Sequence, residues 1–377
     1  MLLKKIIGEF LRTTIIVCLA YVLSYLIAYD ISSISYFNGA TGNANSRISD
    51  FYFAVANQRS VATLDKNVVI VSIDGCSREQ IAEVIEMVDF CAPMAVGLDV
   101  MFDYPSADDN RLVEAICSCD NLILPVYLNY DPVQQRFDRI EGSFFYESIP
   151  HKNFGAVNLA GNNIQSVIRE FRPEFPMLTD TIPGFALALA RKAAPQAYQL
   201  IRARARTFEI IDYPSREYEV VKSFEVLERK DDLTRRVVLI GAVDDPADKH
   251  ITPVDYQMPG VRVLACSLST ILDSNYIRRT STAVEWAIAI FLCSLVVVLN
   301  NLLRAKKIGN LAIRVFQFLL LYCIMLCGCK LFIVAHLCMD FTKPLLMVGL
   351  GLAANDIWYG SGEYLISWFK NKRKNRL

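Results

Sequence analysis

Four uninterrupted apolar runs in the middle of the chain predict buried β-strands. They are residues 68–73 (VVIVSI), 94–98, 122–127 and 236–242 (RVVLIGA). Runs of this kind, rich in Val, Ile and Leu and lacking a polar alternation, are typical of strands that are covered on both faces. Strands covered on both faces occur mainly in parallel sheets, because the crossover connections place helices on either side.

Segments with helical periodicity separate these strands. Ser77 followed by Gln80 has the pattern of a capping box, and apolar residues then recur at helical spacing. Further helices are predicted from about Ser106, over residues 185–194 and over residues 261–272. The alternation predicts an α/β fold with a largely parallel mixed sheet and flanking helices.

Four longer apolar stretches predict transmembrane α-helices, at residues 13–29, 284–303, 315–336 and 344–363. The last is the weakest, because a charged residue interrupts it. The first could also be a signal sequence. No clear small-residue cleavage motif follows it, so a retained anchor is favoured.

Basic residues orient these predicted spans. Residues 1–12, 304–314 and 364–377 are rich in Lys and Arg, which predicts that all three are cytoplasmic: an N-terminus, a basic loop and a basic tail. Residues 30–283 then form one extracytoplasmic domain, and residues 337–343 form a short outer loop. The pattern predicts a multi-pass protein of the bacterial inner membrane, with the lipid bilayer as its surroundings and its main domain in the periplasm or extracellular space.

Net charge and cysteine content narrow the choice of partners. The formal net charge is zero, so no nucleic-acid partner is expected. Five of the eleven cysteines fall in the predicted outer domain, and they are expected to be small buried apolar side chains, with a single disulfide left open. One C-x-C pair and two outer histidines lack the spacing of metal ligands, so neither a metal nor another cofactor is predicted.

Acidic residues follow three of the predicted strands. Asp74, Asp99 and Asp244 stand at or just after strand ends, where ligand sites form in open parallel sheets. Together they could hold a cation or receive a hydroxyl-rich or cationic ligand. The alternative is that each carboxylate only caps the helix that follows it.

The sequence lacks the usual signatures of catalysis, and no enzymatic activity is expected. It has no nucleophile elbow, phosphate-binding glycine loop or zinc-protease helix. Two ionisable residues, Lys330 and Asp356, lie within predicted spans and leave open a pore-forming or transport component built from an oligomer of the bundle. Their other interpretations are a polar contact between helices, a Lys330 side chain that extends to the headgroups, and an Asp356 near a helix end.

A series of short motifs carries a resemblance to a known family. In order, they are VVIVSID, AVGLDVMF, GAVNL with Arg169 downstream, PGFALALA, RRVVLIGAVDDPADKHITPV and MPGVRVLACSLSTIL. Over residues 66–278 the chain resembles the CHASE (cyclase/histidine kinase-associated sensory extracellular) domain of the second type. One predicted span before the domain and three after it also match the layout of that family.

The resemblance implies a bacterial membrane sensor whose outer domain detects an unidentified extracytoplasmic ligand. By position, the residues that it implicates are Asp74, Asp99, Asn158, Asp248, Thr252, Pro253 and Gly260. The chain departs from the family where an acidic-glycine turn often precedes the arginine and where it reads AGNNIQSVIRE instead. Asn162 and Asn163 still suit a turn.

The short tail after the last predicted span leaves no room for an output enzyme. The expected function is therefore a sensor that passes a ligand- or partner-induced change, through a shift of residues 284–303, to a separate protein on the cytoplasmic side. A structural membrane scaffold is the alternative. A homo-oligomer is possible in either case.

Overall fold

The computed structural model describes residues 2–33, 48–131, 133–134, 136–149, 153–159, 167–178, 180–213, 215–306 and 310–374. It divides into two units, which we call the helical unit (Met1–Tyr52 and Arg278–Leu377) and the sheet unit (Phe53–Ile277). The sheet unit is shorter at both ends than the outer domain predicted over residues 30–283. The predicted turn at Asn162 and Asn163 lies outside the described residues.

Helices occur in both units. In the described residues they are α1 (Leu2–Ser33), α2 (Ile48–Arg59), α3 (Arg78–Phe90), α4 (Asp109–Ser118), α5 (Phe185–Ala193), α6 (Pro195–Ala203), α7 (Lys230–Leu233), α8 (Gly260–Leu272), α9 (Thr282–Ala305), α10 (Asn310–Ala335) and α11 (Thr342–Lys374).

Most strands belong to the sheet unit. In the same residues they are β1 (Thr63–Ser72), β2 (Ala95–Asp99), β3 (Leu122–Asp131), β4 (Arg136–Glu141), β5 (Phe154–Ala156), β6 (Glu170–Phe171), β7 (Glu174–Pro176), β8 (Thr181–Pro183), β9 (Glu209–Ile210), β10 (Arg216–Lys222), β11 (Val237–Gly241), β12 (Lys249–His250), β13 (Met258–Pro259), β14 (Arg278–Arg279) and β15 (Leu337–Cys338).

The main sheet of the sheet unit has the strand order β10-β1-β11-β2-β3-β4, and β5 also pairs with β3. Every pairing is parallel except the one between β3 and β4. The prediction of an α/β fold with a largely parallel mixed sheet is confirmed. The central position of β11, which comes late in the chain, separates β1 from β2.

Helices cover both faces of the central strands, as their unbroken apolar sequences require. Residues such as Val69 and Val71 pack with the apolar sides of α3 and α4 in one buried cluster. On the other face, a Cβ added at Gly97 would lie 2.9 Å from the ring of Phe185, the first residue of α5. A larger residue than Gly97 would therefore push α5 away from the sheet.

The start of α3 follows the predicted capping box. The Ser77 hydroxyl accepts a hydrogen bond from the backbone N–H of Gln80 at 3.2 Å, and the Gln80 side chain accepts one from the backbone N–H of Ser77 at 2.8 Å. These two bonds satisfy donors that a helix N-terminus otherwise leaves unpaired, so the helix begins directly after Ser77.

In the helical unit, α1, α9 and α11 pack on one another and α10 packs on α11 and α9. Of the described helices, Thr282–Ala305 and Leu311–Ala335 are long and apolar enough to cross a membrane. The four predicted spans are therefore reduced to two candidates. Phe10–Tyr25 of α1 is a shorter apolar helical stretch, and the described part of α11 is not among the candidates.

Helix boundaries also differ from the prediction. α1 begins at Leu2 and α11 continues to Lys374, so much of the predicted tails 1–12 and 364–377 is helical. The predicted loop 337–343 contains β15, which pairs in parallel with β14. All eleven cysteines are free thiols, and Cys91, Cys119 and Cys266 are the buried ones in the sheet unit.

Candidate functional site

Three adjacent strands end together and bring the predicted acidic residues to one edge of the sheet. Ser72 of β1 pairs with Gly241 of β11, and Gly241 pairs with Asp99 of β2. Asp74 therefore follows the end of one strand while Asp99 is the last residue of another. We call the group formed by Asp74, Asp99, Asp244, Asp248 and His250 the strand-end site.

Asp74 joins the loop after β1 to the loop after β11. Its carboxylate accepts hydrogen bonds from the Ser72 hydroxyl at 2.6 Å and from the backbone N–H groups of Val243 and Asp244 at 3.0 Å each. Burial alone would raise its pKa, but these bonds and the charge of Lys249 lower the pKa of Asp74 below its ordinary value. The Asp74 carboxylate is therefore already hydrogen-bonded by groups of the protein itself.

Asp99 has no such partners. The described residues give its carboxyl group no hydrogen bond and no ion pair, although Asp248 and His250 act on it electrostatically. Burial of the carboxyl group has the largest effect on the pKa of Asp99, and the negative charge of Asp248 adds to it. The pKa is raised to about 7, although His250 acts in the opposite direction. A carboxyl group that titrates near neutral pH can gain or lose a proton under ordinary conditions.

Asp248 holds the beginning of α8. The antiparallel pair of β12 and β13 places it beside Gly260, whose backbone N–H donates to the carboxylate at 3.2 Å. His250 Nε2 lies 3.1 Å from the other oxygen. A carboxylate at a helix N-terminus complements the helix dipole, so Asp248 has a structural role in addition to any contact with a ligand.

Gly260 and Gly241 allow α8 to approach the site. A Cβ at Gly260 would lie 2.5 Å from both carboxylate oxygens of Asp248. At Gly241 it would lie 2.9 Å from Val261 in the first turn of α8 and 3.3 Å from Cβ of Asp99. The N-terminus of α8 is therefore packed directly against the strand-end site.

Three of the sequence-predicted ligand residues have other contacts. The amide of Asn158 accepts from the Leu128 N–H and donates to the Leu128 carbonyl, both at 2.8 Å. The Thr252 hydroxyl bonds the backbone of Asp255 within a local turn. The side chain of Asp244 is exposed, and its backbone N–H makes the bond to Asp74.

Sequence reasoning missed His250 as part of the site, because its spacing indicates neither a nucleophile partner nor a metal ligand. The available signal was its position two residues after Asp248, itself a candidate ligand residue. Within the described ranges, no group of three His, Cys, Asp or Glu side chains could hold a metal ion.

The far end of α8 meets a second charged group, the Arg216 cluster (Arg216, Asp65, Asp212 and Asp273). The Arg216 guanidinium lies 2.8 Å from Asp212, 2.7 Å from Asp273 and 3.5 Å from Asp65. Asp273 directly follows α8, and Ser269 in its last turn donates to Asp65 at 2.7 Å. The cluster fixes the C-terminal end of α8 to the beginnings of β1 and β10.

The two ionisable residues predicted within spans differ in their surroundings. Lys330 of α10 is exposed. Asp356 of α11 pairs with Arg304 of α9 and with Arg314 of α10. The interpretation of Asp356 as lying near a helix end is wrong, because α11 continues for 18 residues to Lys374.

Comparison with known proteins gives one result. A family model described as the CHASE2 domain matches residues 26–299, which is most of the chain. No curated protein and no solved structure shows a significant match. Domains of this family are extracytoplasmic sensors, and the two apolar helices are compatible with membrane anchoring. The chain therefore belongs to the CHASE2 domain family.

Proposed function

We propose that this protein is a multi-pass sensor of the bacterial inner membrane. Its sheet unit would bind a ligand outside the cytoplasm, and its helices would pass the resulting change to a separate cytoplasmic protein, without catalysis by this chain. Family membership and the two candidate spans support the sensor role. The Lys- and Arg-rich segments 1–12, 304–314 and 364–377 support the orientation.

The ligand would act at the strand-end site. Unlike the carboxylates of Asp74 and Asp248, that of Asp99 has no hydrogen-bond partner among the described residues, and it lies within the electrostatic influence of Asp248 and His250. A cation, a hydrogen-bond donor or a proton would relieve the repulsion between the two carboxylates. Each would also change the strength of the hydrogen bond between the Asp248 carboxylate and the backbone N–H of Gly260, the first residue of α8.

The observation that carries the proposal is the position of α8. This helix begins beside Asp248, at Gly260, and ends beside the Arg216 cluster, and nearly all of its residues are buried. Its 13 residues span about 20 Å at 1.5 Å per residue. A buried helix in a close-packed core moves as a rigid body, so a displacement at one end is felt at the other.

The chain itself connects α8 to the membrane. Residues 273–281 lead from the Arg216 cluster to α9, one of the two candidate spans. Ser281 accepts a hydrogen bond from the backbone N–H of Val284 and caps α9. For signalling, two states of the helical unit must differ in affinity for the partner, because a ligand only shifts an equilibrium between states that it distinguishes.

A crosslinking experiment in native membranes tests this route. Cytoplasmic proteins captured by the full-length protein are quantified for the wild type and for Asp248→Asn, each with and without a flexible Gly-Ser insert after Arg279. A matched insert after Gln134, an exposed residue between β3 and β4, is the control. We expect Asp248→Asn to change partner capture in the protein without an insert and in the protein with the insert after Gln134. The substitution should have no effect on capture when the insert follows Arg279.

Two results contradict the proposal. If only outer-face partners are captured, the protein is a structural scaffold and not a sensor with a cytoplasmic output. If the response to Asp248→Asn survives the insert after Arg279, the signal does not pass from α8 into α9.

A further inference from the structure

Three helices of the helical unit place an arginine against the same part of α11. Arg304 and Arg314 each pair with one carboxylate oxygen of Asp356. The guanidinium carbons of Arg304 and Arg12 lie 5.0 Å and 4.6 Å from the centre of the Tyr359 ring. Asp356 and Tyr359, one helical turn apart, therefore receive positive charge from α1, α9 and α10.

The negative charge available there is small. Segments 1–12, 304–314 and 356–377 contain twelve lysines and arginines, whereas their acidic residues are Glu9, Asp356 and Glu363. One carboxylate, that of Asp356, serves both Arg304 and Arg314, and an aromatic ring contributes no net charge. Two guanidinium groups on one carboxylate leave one positive charge that favours a further anion.

Some of the hydrogen-bond donors of Arg304 and Arg314 are exposed or lack a partner among the described groups. The Arg314 side chain is 55% exposed and the Arg304 side chain 23%. The buried Nε of Arg304 has no hydrogen-bond partner among the described groups. Arginine presents five donors in a planar fork that matches a phosphate group, so further donors remain for an anion.

The positions of Arg304 and Arg314 along their helices indicate which class of anion would bind. Arg304 lies in the last turn of α9 and Arg314 near the start of α10, at the ends of the two candidate spans. Residues at the end of a span lie at the level of the lipid headgroups. Basic pockets between membrane helices at this level suit the phosphates of anionic lipids.

We propose that Arg304 and Arg314 bind the phosphate group of an anionic phospholipid, while Asp356 holds the two side chains in position. The lipid phosphate would supply the second negative charge for the pair. Because Arg304 and Arg314 belong to α9 and α10, an occupied site would join the ends of both candidate spans to α11. The proposal depends on the membrane location of α9 and α10 and does not depend on a ligand in the sheet unit.

Native mass spectrometry of the full-length protein in detergent tests the site. The probes are phosphatidylglycerol and phosphatidylcholine with identical acyl chains, added at equal concentration. We expect wild-type protein to retain phosphatidylglycerol about tenfold more strongly than phosphatidylcholine. Arg314→Gln should lower phosphatidylglycerol affinity about tenfold, whereas Lys330→Gln, which removes one exposed charge at the other end of α10, should leave it unchanged.

Arg314→Lys guards against a folding defect, because it keeps the charge beside Asp356. It should lower phosphatidylglycerol affinity by less than Arg314→Gln, since an ammonium group cannot form a planar fork. Equal retention of the two lipids by the wild type would overturn the proposal, as would equal losses in Arg314→Gln and Lys330→Gln. Complete displacement of phosphatidylglycerol by millimolar inorganic phosphate would overturn the lipid assignment in favour of a free anion.

Discussion

Asp248 and Gly260 are in such close contact that no side chain fits between them. The backbone N–H of Gly260 donates to Asp248 at 3.2 Å, and a Cβ at Gly260 would lie 2.5 Å from both carboxylate oxygens. The pair joins the strand-end site to α8. Any change in the contacts of Asp248 therefore acts directly on the first residue of a buried helix.

Gly260→Ala is expected to displace the Asp248 carboxylate and remove its contact with α8. Loss of such a cap costs about 0.5–2 kcal/mol of unfolding free energy. Urea unfolding of the full-length protein, followed by pulse proteolysis of the sheet unit, measures the loss. Tryptophan fluorescence would not serve, because Trp286, Trp358 and Trp368 all lie in the helical unit.

A double-mutant cycle separates this cause from a general effect of alanine. In an Asp248→Ala background the carboxylate is absent, so Gly260→Ala should change stability little. An equal cost of Gly260→Ala in both backgrounds would show that the contact with Asp248 is not what the substitution disturbs.

Sequence patterns predicted the central strands and their flanking helices well. Runs such as residues 68–73 and 236–242 are apolar throughout because both faces of β1 and β11 are covered, and few other elements of a folded domain produce such a short apolar run. The edge strand β10 was missed. Its exposed Glu217, Val220 and Lys222 alternate with buried Tyr218 and Val221, so it lacks an apolar run.

The strand-end site was predictable only in part. Asp74, Asp99 and Asp244 were placed at one edge because parallel strands end together. Which carboxylates are already occupied depends on loops that close through space: Val243, from a loop about 170 residues away, bonds Asp74. Sequence spacing carries no information on such contacts. The hydrogen bonds between the Asn158 amide and the backbone of Leu128 in β3 are likewise visible only in the structure.

Asp99 should make the sheet unit less stable as the pH rises. Its folded-state pKa of about 7 is above the ordinary value near 4, so the unfolded state loses this proton first. The contribution of Asp99 to stability is thus fully present below about pH 4 and is lost as the pH rises to about 7. Asp99→Asn should increase stability at pH 8 and remove this part of the pH dependence.

Asp74→Asn is the matched control for that measurement. The pKa of Asp74 is lowered, so its charged form stabilises the folded state at neutral pH and this contribution disappears as the pH falls. Removing the charge should decrease stability at pH 8, opposite to Asp99→Asn. If both substitutions change stability in the same direction, the assignment of the two carboxylates is wrong.

Arg216→Met should strongly destabilise the sheet unit. The Arg216 side chain is only 12% exposed, and its removal leaves the buried carboxylates of Asp65 and Asp212 without their cation. Breaking a buried ion pair from one side costs about 3–5 kcal/mol. Pulse proteolysis in urea measures this loss of unfolding free energy.

Arg111→Met provides the comparison for Arg216. Arg111 forms an ion pair with Glu86 in which both side chains are about two-fifths exposed, and exposed pairs contribute about 0–1 kcal/mol. A cost for Arg216→Met as small as that for Arg111→Met would mean that the Arg216 cluster does not hold the end of α8.

Asn158→Ala distinguishes a structural from a ligand-binding role for this residue. Its amide satisfies both the N–H and the carbonyl of Leu128, a residue that is 1% exposed. Without it, each buried backbone group lacks this partner, at a cost of about 1–3 kcal/mol for an unsatisfied group. Hydrogen exchange of the Leu128 amide should accelerate in the absence of any ligand.

Asn158→Asp keeps an acceptor for the N–H but places a charge against the carbonyl, so it should restore little of this protection. Unchanged exchange in Asn158→Ala would contradict the structural role of Asn158.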